Sequence, residues 1–219
     1  MNLSLRKIHH KLQGRDVFNN LNLEVQCGEC CVIKGVSGSG KSLLFSMLCD
    51  IVRPQNGCVV YNNVCLPDMD KSQYYSYKKQ TGAIFQLPAL ISNLTLKENL
   101  LLPLNQFCND LSYQDKLKII ESKCEEIGLH NQLELRTDHL SIGMASLVGV
   151  IRATILQPSV IIWDSPICEV DCHWADYEIN LIKNLKNSGV TQILFSNRRV
   201  ISTLADSVYQ LKSGLCYAA

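Results

Sequence analysis

The sequence predicts an α/β domain with a parallel-sheet core, and three observations carry that expectation. Gly35-Val36-Ser37-Gly38-Ser39-Gly40-Lys41-Ser42 fits the pattern G-x-x-x-x-G-K-[ST] at every fixed position. It stands between an apolar run, Cys30-Cys31-Val32-Ile33, and a helix-like stretch, Leu43-Leu44-Phe45-Ser46-Met47-Leu48. Strand-like and helix-like segments alternate again towards the C-terminus, as in sheets whose strands are joined by helical crossovers. Such a glycine-rich turn can aim successive backbone N–H groups at phosphate oxygens, with the positive end of a helix beneath them. Lys41 is then placed to reach β- and γ-phosphates, and the Ser42 hydroxyl to ligand Mg²⁺.

Taken in order, residues 3–9 and 15–26 alternate in polarity and read as an antiparallel hairpin around Gly14. The helix after the glycine-rich turn is expected to run to Arg53-Pro54, where proline stops it. Gly57-Cys58-Val59-Val60-Tyr61 reads as a strand with Asn62-Asn63 as its turn, and Thr81-Gly82-Ala83-Ile84-Phe85 as a stretch running into Gln86. From about 87 to 157 the pattern becomes helical. Thr95-x-x-Glu98 and Ser112-x-x-Asp115 are helix-opening patterns, and Leu117, Ile120, Cys124 and Ile127 follow helical spacing as a core stripe. Val160-Ile161-Ile162-Trp163-Asp164, a helix after Asp171, Val190 to Phe195 and a hairpin around Ser213-Gly214 complete the chain. One domain over 1–219 is expected, its core about 1–86 and 158–219 and an inserted helical subdomain about 87–157.

Apolar residues make up 47% and charged residues 19%, a globular balance. A net charge of +1 offers no electrostatic footprint for nucleic acid or an anionic membrane surface. The N-terminus, Met1 to Arg6, has no apolar signal region, and no apolar run approaches the ~18 residues of a membrane span. A soluble chain is expected, reaching a membrane only through a partner. The eleven cysteines then imply a reducing compartment, where they serve as small apolar residues. Cys27-x-x-Cys30 has no second C-x-x-C beside it, and with Cys168-x-x-x-Cys172-His173 it makes a poor case for zinc.

Over nearly its whole length the sequence resembles the ATP-binding subunits of ABC transporters, a P-loop NTPase type with an N-terminal antiparallel β subdomain. Gln86, in Ile84-Phe85-Gln86-Leu87-Pro88, resembles the Q-loop, which implies contact with the γ-phosphate side, the metal and the membrane subunit. Leu140-Ser141-Ile142-Gly143-Met144 resembles the LSGGQ signature, followed by Arg152-Ala153 and Gln157-Pro158 as in the family. Val160 to Asp164 resembles Walker B, whose aspartate polarises the Mg²⁺ shell, and Asp171 matches the D-loop aspartate. Asn93-Leu94-Thr95, Glu98-Asn99 and Leu102-Pro103-Leu104 are similar to the lipoprotein-release and macrolide-export branch.

The departures cluster where hydrolysis takes place. The glutamate that activates water in the family is replaced by Ser165, whose hydroxyl cannot hold a proton-accepting charge near neutral pH. The H-loop histidine falls on Asn197, an amide that never carries a positive charge. Ile142 and Met144 alter the signature, while Ser141 and Gly143, the pair that would approach a partner's γ-phosphate, remain. Leu43 replaces a second hydroxyl residue, Lys34 interrupts an apolar strand, and the adenine-stacking aromatic aligns near His10. The resemblance implies ATP and Mg²⁺ as ligands, held by Gly35 to Leu43 and Asp164. It also implies a homodimer or heterodimer of such subunits, docked on a permease at the cytoplasmic face of a membrane. The expected function is MgATP binding with weak or absent hydrolysis. A working transport ATPase and a nucleotide-sensing regulator without transport stand as alternatives, ahead of a P-loop kinase.

Overall fold

The computed structural model describes residues 2–168 and 172–219. Asp171 lies outside the described residues, as do the side chains of Cys172 and His173.

Two sheets divide the strands. β1 (Leu3–Leu12) and β2 (Arg15–Val25) form the N-terminal hairpin, turning at Gln13-Gly14. β4 (Asn56–Tyr61) and β5 (Val64–Cys65) join them in a four-stranded antiparallel sheet ordered β2-β1-β4-β5. The second sheet is ordered β10-β9-β3-β8-β7-β6. Its strands β3 (Cys30–Lys34), β6 (Thr81–Ile84), β7 (Val160–Asp164), β8 (Thr191–Phe195) and β9 (Ser207–Lys212) run parallel, and β10 (Leu215–Ala218) closes one edge antiparallel. The central strands are apolar on both faces because both faces are covered. Alternate residues divide between two cores: Cys31, Ile33, Ile162 and Phe195 pack with α1 (Lys41–Leu48) and the β1–β2 hairpin. Cys30, Val32, Ile161, Trp163 and Leu194 pack with Ile182 of α6 (Cys172–Asn187). Between β6 and β7 the chain makes a helical excursion through α3 (Leu96–Phe107), α4 (Tyr113–Glu125) and α5 (Ile142–Thr154). Leu96, Leu100, Ile120, Cys124, Leu147 and Ile151 give it a hydrophobic cluster of its own. Among the described residues no helix is long and apolar enough to cross a membrane.

Local signals behave as their chemistry requires. Thr95 and Glu98 complete a capping box on α3, and Ser112 caps α4 through the Asp115 N–H. Two readings are corrected, and one element joins those expected. α1 stops at Leu48, well before Pro54, because Asp50 takes a left-handed conformation (φ 52°) and Ile51 and Val52 N–H fold back onto the Ser46 carbonyl. An additional helix, α2 (Lys71–Gln80), opens on a capping box between Asp70 and Gln73. Cys58 and Cys65, brought together by the β4–β5 hairpin with Cα atoms 5.8 Å apart, form a disulfide, so not all cysteines serve as apolar filler. Cys30, Cys31, Cys49 and Cys124 are buried as expected of such filler.

Candidate functional site

The glycine-rich turn leaves the end of β3 and enters α1 at Lys41. Gly38 (φ 77°) and Gly40 (φ 99°) occupy the left-handed region, and a Cβ on Gly40 would also press on the Phe18 ring at 2.9 Å. α1 starts with no side-chain cap and no acidic residue in its first turn. Its first N–H groups therefore remain available to an anion. These features fit a bound polyphosphate.

A cavity of about 480 Å³ opens over the turn. Ser37, Gly38, Gly40, Lys41, Ser42 and Leu43 line one side, Gln86, Asp164, Ser165 and Asn197 another, and Leu12 and Val17 the rim. β7 carries Asp164 into it, and because β6 is the adjacent strand, Gln86 arrives beside it. Burial pushes the Asp164 carboxyl up from its ordinary value, opposed by hydrogen bonds from Ser165 and Ser42 and by the charge of Lys41. Burial likewise pushes the Lys41 ammonium down, with Asp164 opposing. Ser42, Asp164 and Gln86 thus offer oxygens of the kind Mg²⁺ takes.

Ser165 sits immediately beyond the strand in a left-handed conformation (φ 58°), its N–H donating to the Phe195 carbonyl at 3.0 Å. Its hydroxyl lies 3.4 Å from Oδ1 of Asp164. Asn197 uses both ends of its amide on Gly35: Oδ1 accepts from the Gly35 N–H at 3.0 Å, and Nδ2 donates to the Gly35 carbonyl at 2.8 Å. Lys41 Nζ donates to the Gly35 and Val36 carbonyls at 2.6 and 3.1 Å. Gln86 Nε2 reaches the Cys168 sulfur at 3.8 Å.

Some expected residues lie elsewhere. Gly35, Val36 and Ser39 belong to the turn without lining the cavity, and Val36 points to solvent. His10 is a correction: its side chain is buried in the core and does not line the cavity, where Leu12 and Val17 stand instead. Register shifts in β1 around Ile8 and His10 turn the imidazole inward. Ser141 caps α5 by accepting from the Met144 N–H, with Ile142 exposed and Gly143 half-buried beside it. Neither Ser141 nor Gly143 touches this cavity.

An acidic strand end facing the serine that opens an uncapped helix is the layout of a P-loop domain. The added antiparallel sheet and the helical excursion narrow that class to the ATP-binding cassettes, and solved cassettes share the whole architecture. A post-hydrolysis dimer of the cassette MJ0796, bound to ADP and Pi, superposes with a TM-score of 0.89 at 24% identity, covering 99% of this chain and 97% of that one. A second dimeric structure of MJ0796, a bacterial ABC transporter cassette, gives 0.87 at 25% identity over 98% and 96%. Residues 18–168 match the ABC transporter family, and the chain belongs to it. It is 29% identical to the lipoprotein-releasing system ATP-binding protein LolD of Anaplasma marginale, over 97% of this chain and 95% of that protein. It is 28% identical to the intermembrane phospholipid transport system ATP-binding protein MlaF of Escherichia coli K12, over 89% and 72%.

Proposed function

We propose that this chain is the ATP-binding subunit of a membrane transporter, one that holds MgATP while hydrolysing it weakly or not at all. The observation that carries the reading is the contrast within one cavity: the phosphate turn and Asp164 both line it, while Ser165 stands where a proton-accepting carboxylate is needed. The backbone of Gly38 to Ser42 and Lys41 would hold the phosphates, and Ser42, Asp164 and Gln86 the Mg²⁺. That ion, when bound, neutralises phosphate charge. The 87–157 segment is proposed as a helical subdomain presenting Ser141 and Gly143 to the nucleotide of a second subunit, like or unlike this one. A permease would dock beside Gln86 on the cytoplasmic face of the membrane.

The test is a thermal shift with millimolar MgATP. A ligand at 100 times its Kd stabilises the native state by about 2.7 kcal/mol, and Lys41→Ala should abolish most of that gain. No shift in the unmodified protein would replace the reading with a nucleotide-free scaffold.

A further inference from the structure

Gly35 is held from two directions. The last rungs of the parallel ladder pair Ile33 with Phe195, and the Ser196 N–H donates to the Ile33 carbonyl at 3.2 Å. One step on, the amide side chain of Asn197 takes the place of a strand, engaging both backbone groups of Gly35 at 3.0 and 2.8 Å. Asn197 thereby extends the β3–β8 ladder beyond the last paired rung. From the other side Lys41 Nζ donates to the same Gly35 carbonyl at 2.6 Å and to Val36 at 3.1 Å.

We propose that Asn197 is a positioning residue for nucleotide retention, which keeps Gly35 in place when Lys41 leaves its carbonyl for a phosphate. The inference rests on the reading that this cavity takes nucleotide. When the ammonium turns to phosphate, two carbonyls lose a donor. Val36 is exposed, so water replaces the loss there; Gly35 is buried, and its carbonyl keeps only the Asn197 N–H. A buried carbonyl without a donor is costly, so the amide makes release of Lys41 easier. Imidazole cannot substitute, because its two nitrogens point apart and cannot meet the N–H and C=O of one residue together. The role lies at the root of the phosphate turn, not at the γ-phosphate, and therefore serves di- and triphosphate alike.

The experiment compares MgADP and MgATP affinities of the full chain with Asn197→Ala, Asn197→His and Asn197→Asp, read by displacement of a fluorescent nucleotide. Amide hydrogen exchange over residues 33–37 is followed without nucleotide. The expected result is a loss of about tenfold for both nucleotides in the alanine and histidine variants, the worth of one such hydrogen bond, with faster exchange at Gly35. Asn197→Asp keeps the acceptor for the Gly35 N–H and should retain slow exchange there, yet lose affinity; it serves if the alanine variant does not fold. A loss confined to MgATP would assign Asn197 to the γ-phosphate and overturn the proposal. Unchanged affinities, unchanged exchange in the alanine variant, or tighter MgATP binding by the histidine variant would overturn it as well. If the unmodified protein binds neither nucleotide, the proposed function fails and this inference falls with it; unaffected variants of a nucleotide-binding protein overturn the inference alone.

Discussion

The backbone N–H of Ile167 donates to Oε2 of Glu178 across 2.6 Å, tying the loop beyond Ser165 to the middle of α6. Ile167 is β-branched and held at φ 58°, a conformation that costs free energy, and the carboxyl behind it fixes that kink. Glu178 is 4% exposed, and burial raises its proton affinity, with the Ile167 hydrogen bond opposing. A carboxyl whose folded-state pKa is raised contributes stability that is complete below its unfolded value and lost as pH rises through the folded one. Glu178→Gln should therefore match the unmodified protein in stability near pH 4.5 and gain on it progressively at higher pH, because the amide oxygen still accepts from Ile167. Glu178→Leu strands that N–H and should cost about 1–3 kcal/mol. Urea unfolding across pH measures both, and parallel pH curves for Glu178→Gln and the parent would refute the first.

Hydrolysis is expected to respond to Ser165→Glu. Ser165 already occupies the left-handed region as a non-glycine residue, so the longer side chain adds little backbone strain. A carboxylate there should speed phosphate release, but by less than the roughly 10²-fold that a well-placed general base supplies. The position is shaped by neighbours that act as a unit. Steady-state phosphate release, with Lys41→Ala as background, gives the comparison. Brisk turnover by the unmodified chain that Lys41→Ala abolishes would overturn the weak-hydrolysis reading.

The helical excursion depends on its caps. The Thr95 hydroxyl accepts from the Glu98 N–H at 3.1 Å, and the Glu98 carboxylate from the Thr95 N–H at 2.8 Å. Thr95→Ala should destabilise the protein by about 1 kcal/mol in urea unfolding. A change within error would show that packing of Leu96 and Leu100 alone sets the start of α3.

Leu87 and Ile91 are exposed apolar residues on the segment following Gln86, next to exposed Asn93. A photoreactive residue at Leu87 or Asn93 should capture an integral-membrane protein from native membranes. Capture restricted to cytosolic proteins would count against the permease.

The chemistry of the phosphate turn was readable because its spacing and its flanking strand and helix agree. β7 was readable because its short apolar run is rich in β-branched residues, Val160, Ile161 and Ile162, which suits a strand covered on both faces. His10 escaped for a definable reason. Leu3 and Leu5 point inward, but Lys7 adopts φ 51° and the parity flips, so that Ile8 and His10 become the buried pair. The mark of the bulge is the charged pair Arg6-Lys7, which breaks the alternation between Leu5 and Ile8, and one residue of slip moves every later side chain to the opposite face. α2 had a signal, Asp70-x-x-Gln73, that a search restricted to serine and threonine caps overlooks. By resemblance Asn197 stands only where the family has a histidine, which says what the residue is not. What it does hold, both backbone groups of Gly35, depends on a contact between residues 162 positions apart that no local pattern carries.

β6 and β7 are immediate neighbours, with Ile84 opposite Trp163. Because the two strands are parallel, the helical excursion leaves the sheet beyond Ile84, at one end of the ladder, and rejoins it at Val160, opposite Thr81 at the other end. Its hydrophobic cluster is packed from outside by Trp174 and Tyr177 of α6, and the ladder between its two attachment points is complete without it. Mechanically it is a handle pinned at both ends of one ladder, and its outgoing pin, at Gln86, stands with Asp164 and Ser165 on the wall of the cavity over the glycine-rich turn. Torque on α3, α4 or α5 reaches the rest of the fold through these two pins, through α5 on β6, and through Trp174 and Tyr177 of α6. It also passes through Tyr75 of α2, whose ring packs on Phe107 and whose hydroxyl donates to the Gln106 carbonyl. One of those pins, at Gln86, stands where the phosphates would lie, so a push on the handle is felt there as well as at the opposite end of the sheet.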